Sequence, residues 1–269
     1  MADQTTGPIR IGAVPYLNAR VLTYGLEPNT AEYTLEHHVP STLAARFRDG
    51  DLDVALVSSI EYFRNPDCVI LPGISISGGR EMWSVKLFHR PPVNQLRRVA
   101  LDPASQSANA LLSVLLRERF KVQAELVAPE AGEDPAARKD LDGFLLIGDP
   151  CLAFEPGPWR ALDLAAEWRA FTHLPFVFAL WLARRGADLR GVNGRLMQAK
   201  HAGLRNVEEI AEQHRAASRL DLRRARQYLT HVLRYELGPQ EQGGLDLFQR
   251  YLLRHKLVQN SRPLEFYSD

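Results

Sequence analysis

The sequence predicts two α/β lobes around a central cleft. Strand-like runs that end in polar turns alternate with helical segments along the 269-residue chain, and this alternation is typical of α/β folds. Two extended excursions, Phe88 to Pro92 and Leu174 to Ala183, separate the repeated units. We therefore expect one lobe to comprise residues 1–88 and 180–269, and the other to comprise residues 89–179. A chain of this length can bury a sizeable core.

The first predicted strand, Ile9 to Ala13, leads into a turn that is suited to ligand binding. Pro15 cannot donate a hydrogen bond to a neighbouring strand, so it should end the strand. Asn18 then stands where a residue would cap a helix running on to Leu26. Ligands of open α/β sheets bind beyond the carboxyl ends of strands, where free N–H groups attract anions. Asn18 is therefore either a cap at an ordinary corner or part of a binding site.

The later segments continue the strand and helix pattern. Short apolar runs at 53–57, 68–72 and 142–148 predict buried strands. Glycine and serine at 75–79 predict a turn. Residues Asp188 to Leu237 predict a helical region with a break at Gly203.

Composition and charge argue against several function classes. The 33 Lys and Arg residues and 32 Asp and Glu residues leave a net charge of +1, so no strong field favours nucleic acid or a membrane surface. The apolar runs are too short to span a bilayer. The first eight residues lack the features of a secretory signal, so we expect a cytoplasmic location. Cys68 and Cys151 belong to no metal-binding or redox pair, and we expect two free, buried thiols.

The sequence contains no common catalytic or metal-binding motif. His37 and His38 are adjacent, so on a strand they point to opposite faces and cannot bind one ion together. His173 precedes the return excursion and either faces the cleft or is structural. Polar side chains instead follow predicted strand ends, and in a cleft they would suit a small carboxylated ligand: Asn18, Ser58, Ser59, Ser84, Ser105, Ser107 and Asp149.

Five motifs, taken in order, resemble those of the MqnA family, the chorismate dehydratases of the futalosine route to menaquinone. They are Val14-Pro-Tyr-Leu-Asn-Ala-Arg20, Trp83-Ser-Val-Lys-Leu-Phe88, Leu146-Ile-Gly-Asp149, Leu162-Asp-Leu-Ala-Ala-Glu-Trp168 and Leu174-Pro-Phe-Val-Phe-Ala179. The resemblance covers Arg10 to Leu257. It implies the type II periplasmic-binding-protein fold, used in the cytoplasm, and the conversion of chorismate to 3-[(1-carboxyvinyl)oxy]benzoate and water. It also implies that the reaction uses no metal or organic cofactor.

The resemblance implies that Asn18 and Ser84 are catalytic. They would orient chorismate and stabilise developing charge, while the enolpyruvyl carboxylate of the substrate itself serves as the base. We expect a wider set of residues to bind the substrate, with Ser105, Ser107 and their helix N-terminus holding a carboxylate: Tyr16, Arg20, Ser58, Ser59, Ser105, Gln106, Ser107, Gly148, Asp149 and His173. The chain departs from the family where Val21 replaces Pro, Gln106-Ser107 replaces Arg-Thr, and His173 replaces Gly.

Other functions remain open beside the dehydratase. A solute receptor of this fold would bind a small carboxylate and form no product from chorismate. The ligand-sensing domain of a regulator is disfavoured because no helix-turn-helix precedes Ile9. A sister enzyme of the same route acts on a later intermediate, but the motif from Pro15 to Asn18 favours the dehydratase. The expected partner is the small-molecule substrate alone, and the sequence leaves the oligomeric state open.

Overall fold

The structure, a computed structural model, describes residues 7–129 and 132–268. Two β-sheets are built from these residues. The strands are β1 (Ile9–Ala13), β2 (Tyr33–His37), β3 (Val54–Ser58), β4 (Cys68–Gly78), β5 (Val85–His89), β6 (Arg98–Ala100), β7 (Glu125–Val127), β8 (Gly143–Ile147), β9 (Arg160–Asp163), β10 (Phe176–Arg184) and β11 (Leu233–Arg234).

The first sheet has the strand order β11-β4-β10-β3-β1-β2. Strand β1 is parallel to both β2 and β3, so the carboxyl ends of these three strands meet at one edge of the sheet. Strand β10 is antiparallel to β3 on one side and to β4 on the other. Every residue of β3 is buried, because neighbouring strands and packed helices enclose it, which explains its unbroken apolar run.

The second sheet has the strand order β7-β6-β8-β5-β9. Strand β6 is parallel to β7 and β8, whereas β5 is antiparallel to β8 and β9. The carboxyl ends of β6 and β8 therefore lie on the same edge. The two-lobed α/β architecture predicted from the sequence is confirmed.

Helices surround both sheets and connect most of the strands. They are α1 (Leu17–Arg20), α2 (Pro40–Asp49), α3 (Ile60–Arg64), α4 (Gln106–Glu118), α5 (Gly148–Ala153), α6 (Leu164–Thr172), α7 (Val192–Arg205), α8 (Val207–Gln213), α9 (Arg215–Ser218), α10 (Leu222–Gln227) and α11 (Pro239–Arg254). A π-helical turn, Tyr228–Val232, follows α10. None of the helices in the described segments is both long and apolar enough to cross a membrane.

The chain passes between the sheets twice. The first crossing connects the end of β4 at Gly78 to the start of β5 at Val85, and the second connects α6 to β10 at Phe176. Both changes of sheet fall a few residues earlier than the predicted limits of the lobes. Strand pairing defines sheets rather than lobes, so the division into 1–88 with 180–269 and 89–179 stays a prediction.

Two local predictions are wrong, each because a distant contact overrides a local signal. The predicted turn at 75–79 is instead a continuation of β4, which pairs with β10 through two irregularities of register. Gly203 does not break the helical region, because it lies within α7. A Cβ atom at this position would come within 2.2 Å of the Val21 backbone oxygen, so glycine is needed for close packing. The first break in the helical region falls instead at Asn206, between α7 and α8.

The core is continuous across the two sheets. One large apolar cluster extends from the first sheet through α4 to the inner face of the second sheet. A smaller cluster around Phe88, Phe144 and Trp159 packs on the second sheet alone. Cys68 and Cys151 are free and buried, which confirms the expectation for both thiols.

Candidate functional site

A cavity lies between the two sheets, and both lobes supply its walls. The side of the first sheet contributes residues of β3, β4 and β10 and the segment that follows β1, and the side of the second sheet contributes Val85, Ser105, Ile147 and Gly148. The cavity volume is about 50 Å³, well below the range of about 300–1,000 Å³ typical of small-molecule sites. Most of the lining is apolar, and its polar side chains are those of Tyr16, Asn18, Ser58 and Ser105.

Asn18 reaches this cavity from α1, just beyond the end of β1. It is the second residue of a helix only four residues long, and the N-cap position belongs to Tyr16. The prediction that Asn18 caps a helix is therefore wrong. Its side-chain oxygen is buried and has no hydrogen-bond partner in the described protein. Buried polar atoms are nearly always paired, so this oxygen is an acceptor available to a ligand.

Ser84 lies at the first crossing, and its side chain is completely buried. Its Oγ accepts a hydrogen bond of 2.7 Å from the Tyr228 hydroxyl. Its backbone oxygen accepts a 2.8 Å hydrogen bond from the N–H of Gly148. Met82 and Val85, on either side along the chain, line the cavity. Ser84 itself is not among the lining residues, so it lies behind the cavity wall, between two residues that form it.

The crossing that carries Ser84 is held by one carboxylate. Trp83 has a φ of 59°, a left-handed conformation that is strained for a bulky residue. Asp163 accepts hydrogen bonds from the N–H groups of Met82 at 2.9 Å and Trp83 at 2.8 Å. The same carboxylate caps α6 through Ala165 and Ala166. Burial raises the pKa of Asp163, and these N–H groups oppose the rise.

Gly148 and Asp149 at the start of α5 join the second lobe to the first. Asp149 accepts a 3.0 Å hydrogen bond from the N–H of Leu17 and contacts the Nε2 of His214 at 2.8 Å. Gly148 has a φ of +66°, and a Cβ atom there would lie 3.0 Å from the ring of Tyr16. These contacts seat the start of α1 against the start of α5.

Ser59 and Ser107 also connect the two lobes. Both side chains are fully buried, and their hydroxyl oxygens lie 3.1 Å apart. The Ser59 hydroxyl donates to the backbone oxygen of Val177 at 2.7 Å, and Ser107 Oγ accepts from the N–H of Ile60 at 2.9 Å. The hydrogen-bonding capacity of this pair is therefore used within the protein.

The neighbours of this pair differ in their access to the cavity. Ser58 and Ser105 line it, although Ser105 Oγ also accepts a 3.3 Å hydrogen bond from Ala108 as the cap of α4. Gln106 is not in the lining, and its side-chain oxygen accepts a 3.2 Å hydrogen bond from Arg64.

The cavity lining includes neither Arg20 nor His173. Arg20 is half-buried at the end of α1, and its Nε has no hydrogen-bond partner in the described protein. Burial, and then the charge of Arg20, lowers the pKa of His37 nearby. His173 is exposed and ends α6 with a φ of 63°. A left-handed position at a helix end suits glycine, which explains the glycine that the family has there. In this chain His173 adopts the same conformation.

Two ionisable groups beside the cavity are shifted by burial. Burial raises the pKa of Asp102 to about 6, although the N–H groups of Ala104 and Ile147 donate to its carboxylate at 2.8 and 3.0 Å. Burial, and then the charges of Asp102 and Asp149, raises the pKa of Tyr16 to about 12. Tyr16 therefore offers a neutral hydroxyl at neutral pH.

The cavity as a whole offers hydrogen bonds from neutral groups: a phenol, an amide and hydroxyls. Such groups orient a ligand and stabilise charge that develops on it. Within residues 7–129 and 132–268, no three or more His, Cys, Asp or Glu side chains are grouped to hold a metal ion.

Sequence reasoning missed four residues at or behind the site. Asp163 had a signal, because an aspartate directly before an apolar helical pattern is a typical N-cap. Asp102 stands directly after the apolar residues 99–101, where a strand end and a polar turn could have been read. Tyr228 and His214 had no local signal, because only the folded chain brings them to Ser84 and Asp149.

Comparisons with known proteins agree on fold and family. A family model described as menaquinone biosynthesis matches residues 9–254. A chorismate dehydratase of Thermus thermophilus is 30% identical over 91% of this chain and 95% of its own length. A crystal structure of an Archaeoglobus fulgidus protein has a TM-score of 0.75 at 20% identity, covering 93% of this chain and 98% of that one. The periplasmic aliphatic sulphonate binding protein of Escherichia coli has a TM-score of 0.64 at 16% identity, covering 98% of this chain and 94% of that one. The periplasmic-binding-protein-like fold is thereby confirmed.

Proposed function

The chain belongs to the menaquinone biosynthesis family, and we propose that it is a chorismate dehydratase. It converts chorismate to 3-[(1-carboxyvinyl)oxy]benzoate and water, which makes it a carbon–oxygen lyase. The observation that carries the proposal is the match to chorismate dehydratases over nearly the whole chain. It is supported by the position of Asn18 at a cavity between the two sheets and of Ser84 directly behind its wall.

The proposed reaction removes a proton from C3 of chorismate and the hydroxyl group from C4. The electrons of the C3–H bond form the new double bond of the ring, and the C4–O bond breaks as the hydroxyl leaves. The proton passes first to the enolpyruvyl carboxylate of the substrate and then to the departing oxygen, which leaves as water. Because the ring becomes aromatic, the enzyme has chiefly to hold one reactive conformer and exclude competing reactions. The neutral character of Tyr16, Asn18, Ser58 and Ser105 fits a base supplied by the substrate.

Asn18 and Ser84 are the proposed catalytic residues. The unpartnered oxygen of Asn18 is an acceptor for a substrate hydroxyl, and the Ser84 hydroxyl donates to oxygen on which negative charge develops. Donors that are fixed before the reaction stabilise such charge at little reorganisation cost. Ser105 and the N-terminus of α4 are proposed to bind a carboxylate.

The remaining assignments are also proposals. Tyr16, Ser58 and Gly148 contact the substrate from the cavity wall, and Asp149, Ser59 and Ser107 act by joining the lobes around it. Arg20, Gln106 and His173 are proposed to contact the substrate only if it extends past the cavity. The reaction takes place in the cytoplasm and uses no metal or organic cofactor.

The test is to incubate the purified, exhaustively chelated protein with chorismate and to identify the product by mass spectrometry and chromatography. A sample without protein and a sample with the Ser84→Ala variant are the controls. Formation of 3-[(1-carboxyvinyl)oxy]benzoate by the wild type is the expected result. Binding of chorismate without product would favour the solute-binding alternative, and turnover that is lost on chelation and restored by one metal would refute the cofactor assignment.

A further inference from the structure

We propose that Tyr228 is a positioning residue that fixes the direction of the Ser84 hydroxyl. This inference rests on the proposed function and adds a residue that touches Ser84 rather than the substrate. Tyr228 stands outside every motif that carries the family resemblance, and only the folded chain brings it to the site.

The hydrogen bond between Tyr228 and Ser84 determines what the serine can do. A serine hydroxyl has one hydrogen and two lone pairs. The Tyr228 hydroxyl donates to one of these lone pairs at 2.7 Å, and within the described residues Ser84 Oγ has no further partner. The hydrogen of Ser84 is therefore left to donate to an oxygen of a bound molecule.

Tyr228 also contacts the second proposed catalytic residue. Burial raises the pKa of Tyr228, and the neighbouring Asn18 side chain opposes the rise. Asn18 on α1 and Ser84 at the first crossing therefore both neighbour the Tyr228 side chain. The unpartnered oxygen of Asn18 remains for the substrate.

The surroundings of Tyr228 keep its hydroxyl a permanent donor in one position. Its side chain is completely buried, and burial raises its pKa far above the ordinary value, so the phenol stays protonated. Its ring stacks on Trp83 with centroids 6.2 Å apart and planes 14° apart. It begins the π-helical turn Tyr228–Val232, a rare local structure that occurs often at functional sites.

The chain offers a matched control in Tyr235. This second buried tyrosine is 4% exposed, and its hydroxyl has no hydrogen-bond partner in the described protein. Tyr228→Phe and Tyr235→Phe each delete one buried hydroxyl and keep the ring. Only the first deletion removes a bond to Ser84.

The experiment is a double-mutant cycle on chorismate turnover with Tyr228→Phe, Ser84→Ala and the double variant, beside Tyr235→Phe. We expect Tyr228→Phe to lower kcat by about 10- to 100-fold with KM changed by less than about 2-fold. In the Ser84→Ala background the same change should alter kcat by less than about 2-fold, because its effect passes through the serine. Tyr235→Phe should keep the wild-type kcat.

The outcomes separate this inference from the proposed function. The positioning role would be overturned if the two single losses of kcat multiply in the double variant. It would also be overturned if Tyr228→Phe keeps the wild-type kcat and only lowers the Tm. If the wild type forms no product, the proposed function fails, and the cycle is then measured on chorismate binding by calorimetry. Coupling between Tyr228 and Ser84 in that binding would still support the inference, whereas additive effects or no binding would overturn it.

Discussion

The contact between Gly148 and the ring of Tyr16 gives a sharp test of lobe closure. Gly148 opens α5 in the second lobe and Tyr16 precedes α1 in the first. A Cβ atom at residue 148 would lie 3.0–3.1 Å from three carbons of that ring, closer than ordinary van der Waals contact at about 3.5–4.0 Å. Gly148→Ala therefore strains the protein where the lobes meet and beside the cavity.

The expected cost has two parts. A left-handed backbone conformation costs an alanine about 1–2 kcal/mol whatever the state of the lobes. The contact with Tyr16 adds an overpacking cost of about 1–3 kcal/mol, and it exists only while the lobes are together. The second part raises the free energy of the closed form, so the apparent affinity for chorismate should fall by about 5- to 150-fold.

Gly157→Ala is the matched control for this prediction. Gly157 has a φ of +49° in the same lobe, and a Cβ atom there would have nothing within 4 Å. Steady-state KM for chorismate and Tm should be measured for both variants. Both should lose stability to a similar extent, and only Gly148→Ala should show the large rise in KM.

The reasoning fails if Gly148→Ala keeps the wild-type KM, because the ring contact would then be absent from the substrate-bound form. It also fails if Gly157→Ala raises KM as much. In that case backbone strain alone would explain the effect.

Three further changes test other parts of the structure. Ser84→Ala and Asn18→Ala should each lower kcat by about 30- to 1,000-fold at unchanged Tm, and a lowered Tm with normal turnover would assign the residue to the scaffold. Because the pKa of Asp102 is raised from 3.8 to about 6, its protonated form stabilises the fold below about pH 4, and roughly 3 kcal/mol is lost as the pH rises through 6. Denaturant unfolding at pH 4 and 7 should show this loss in the wild type and not in Asp102→Asn, and an equal change in both proteins would contradict it. Gly203→Ala should destabilise the protein by more than about 2 kcal/mol, because its Cβ would meet the backbone oxygen of Val21 at 2.2 Å, and an unchanged Tm would count against the close packing.

Local patterns predicted the fold where neighbours in sequence decide the structure. The buried run of β3 and the polar residues after β1 and β3 were readable, because strand burial and strand ends leave a direct trace in composition. Gly50 ends α2 with a φ of 84°, the role that glycine most often has directly after a helix. The turn predicted at 75–79 failed, because pairing with β10 from far along the chain keeps those glycines and serines in a strand.

The site was predictable to the extent that its residues belong to motifs. Asn18 and Ser105 could be placed near a cavity from their positions after strands. Nothing in the sequence could indicate that Ser59 and Ser107 face each other across the lobes, or that Tyr228 reaches Ser84. Those contacts depend on how two sheets meet, and no local period encodes that arrangement.

The hydrogen bonds of Asp163 restrict how the two halves of the molecule can travel relative to each other. This carboxylate binds Met82 and Trp83 on one passage between the sheets, and it caps the helix that leads into the other passage. Asp163 therefore holds the two connections between the sheets close together. Rotation of the two halves about these connections would keep the hydrogen bonds, whereas sliding or separating the halves would break them. We expect the cleft to open by rotation about these two connections, which keeps Ser84 in the same place relative to Asp163.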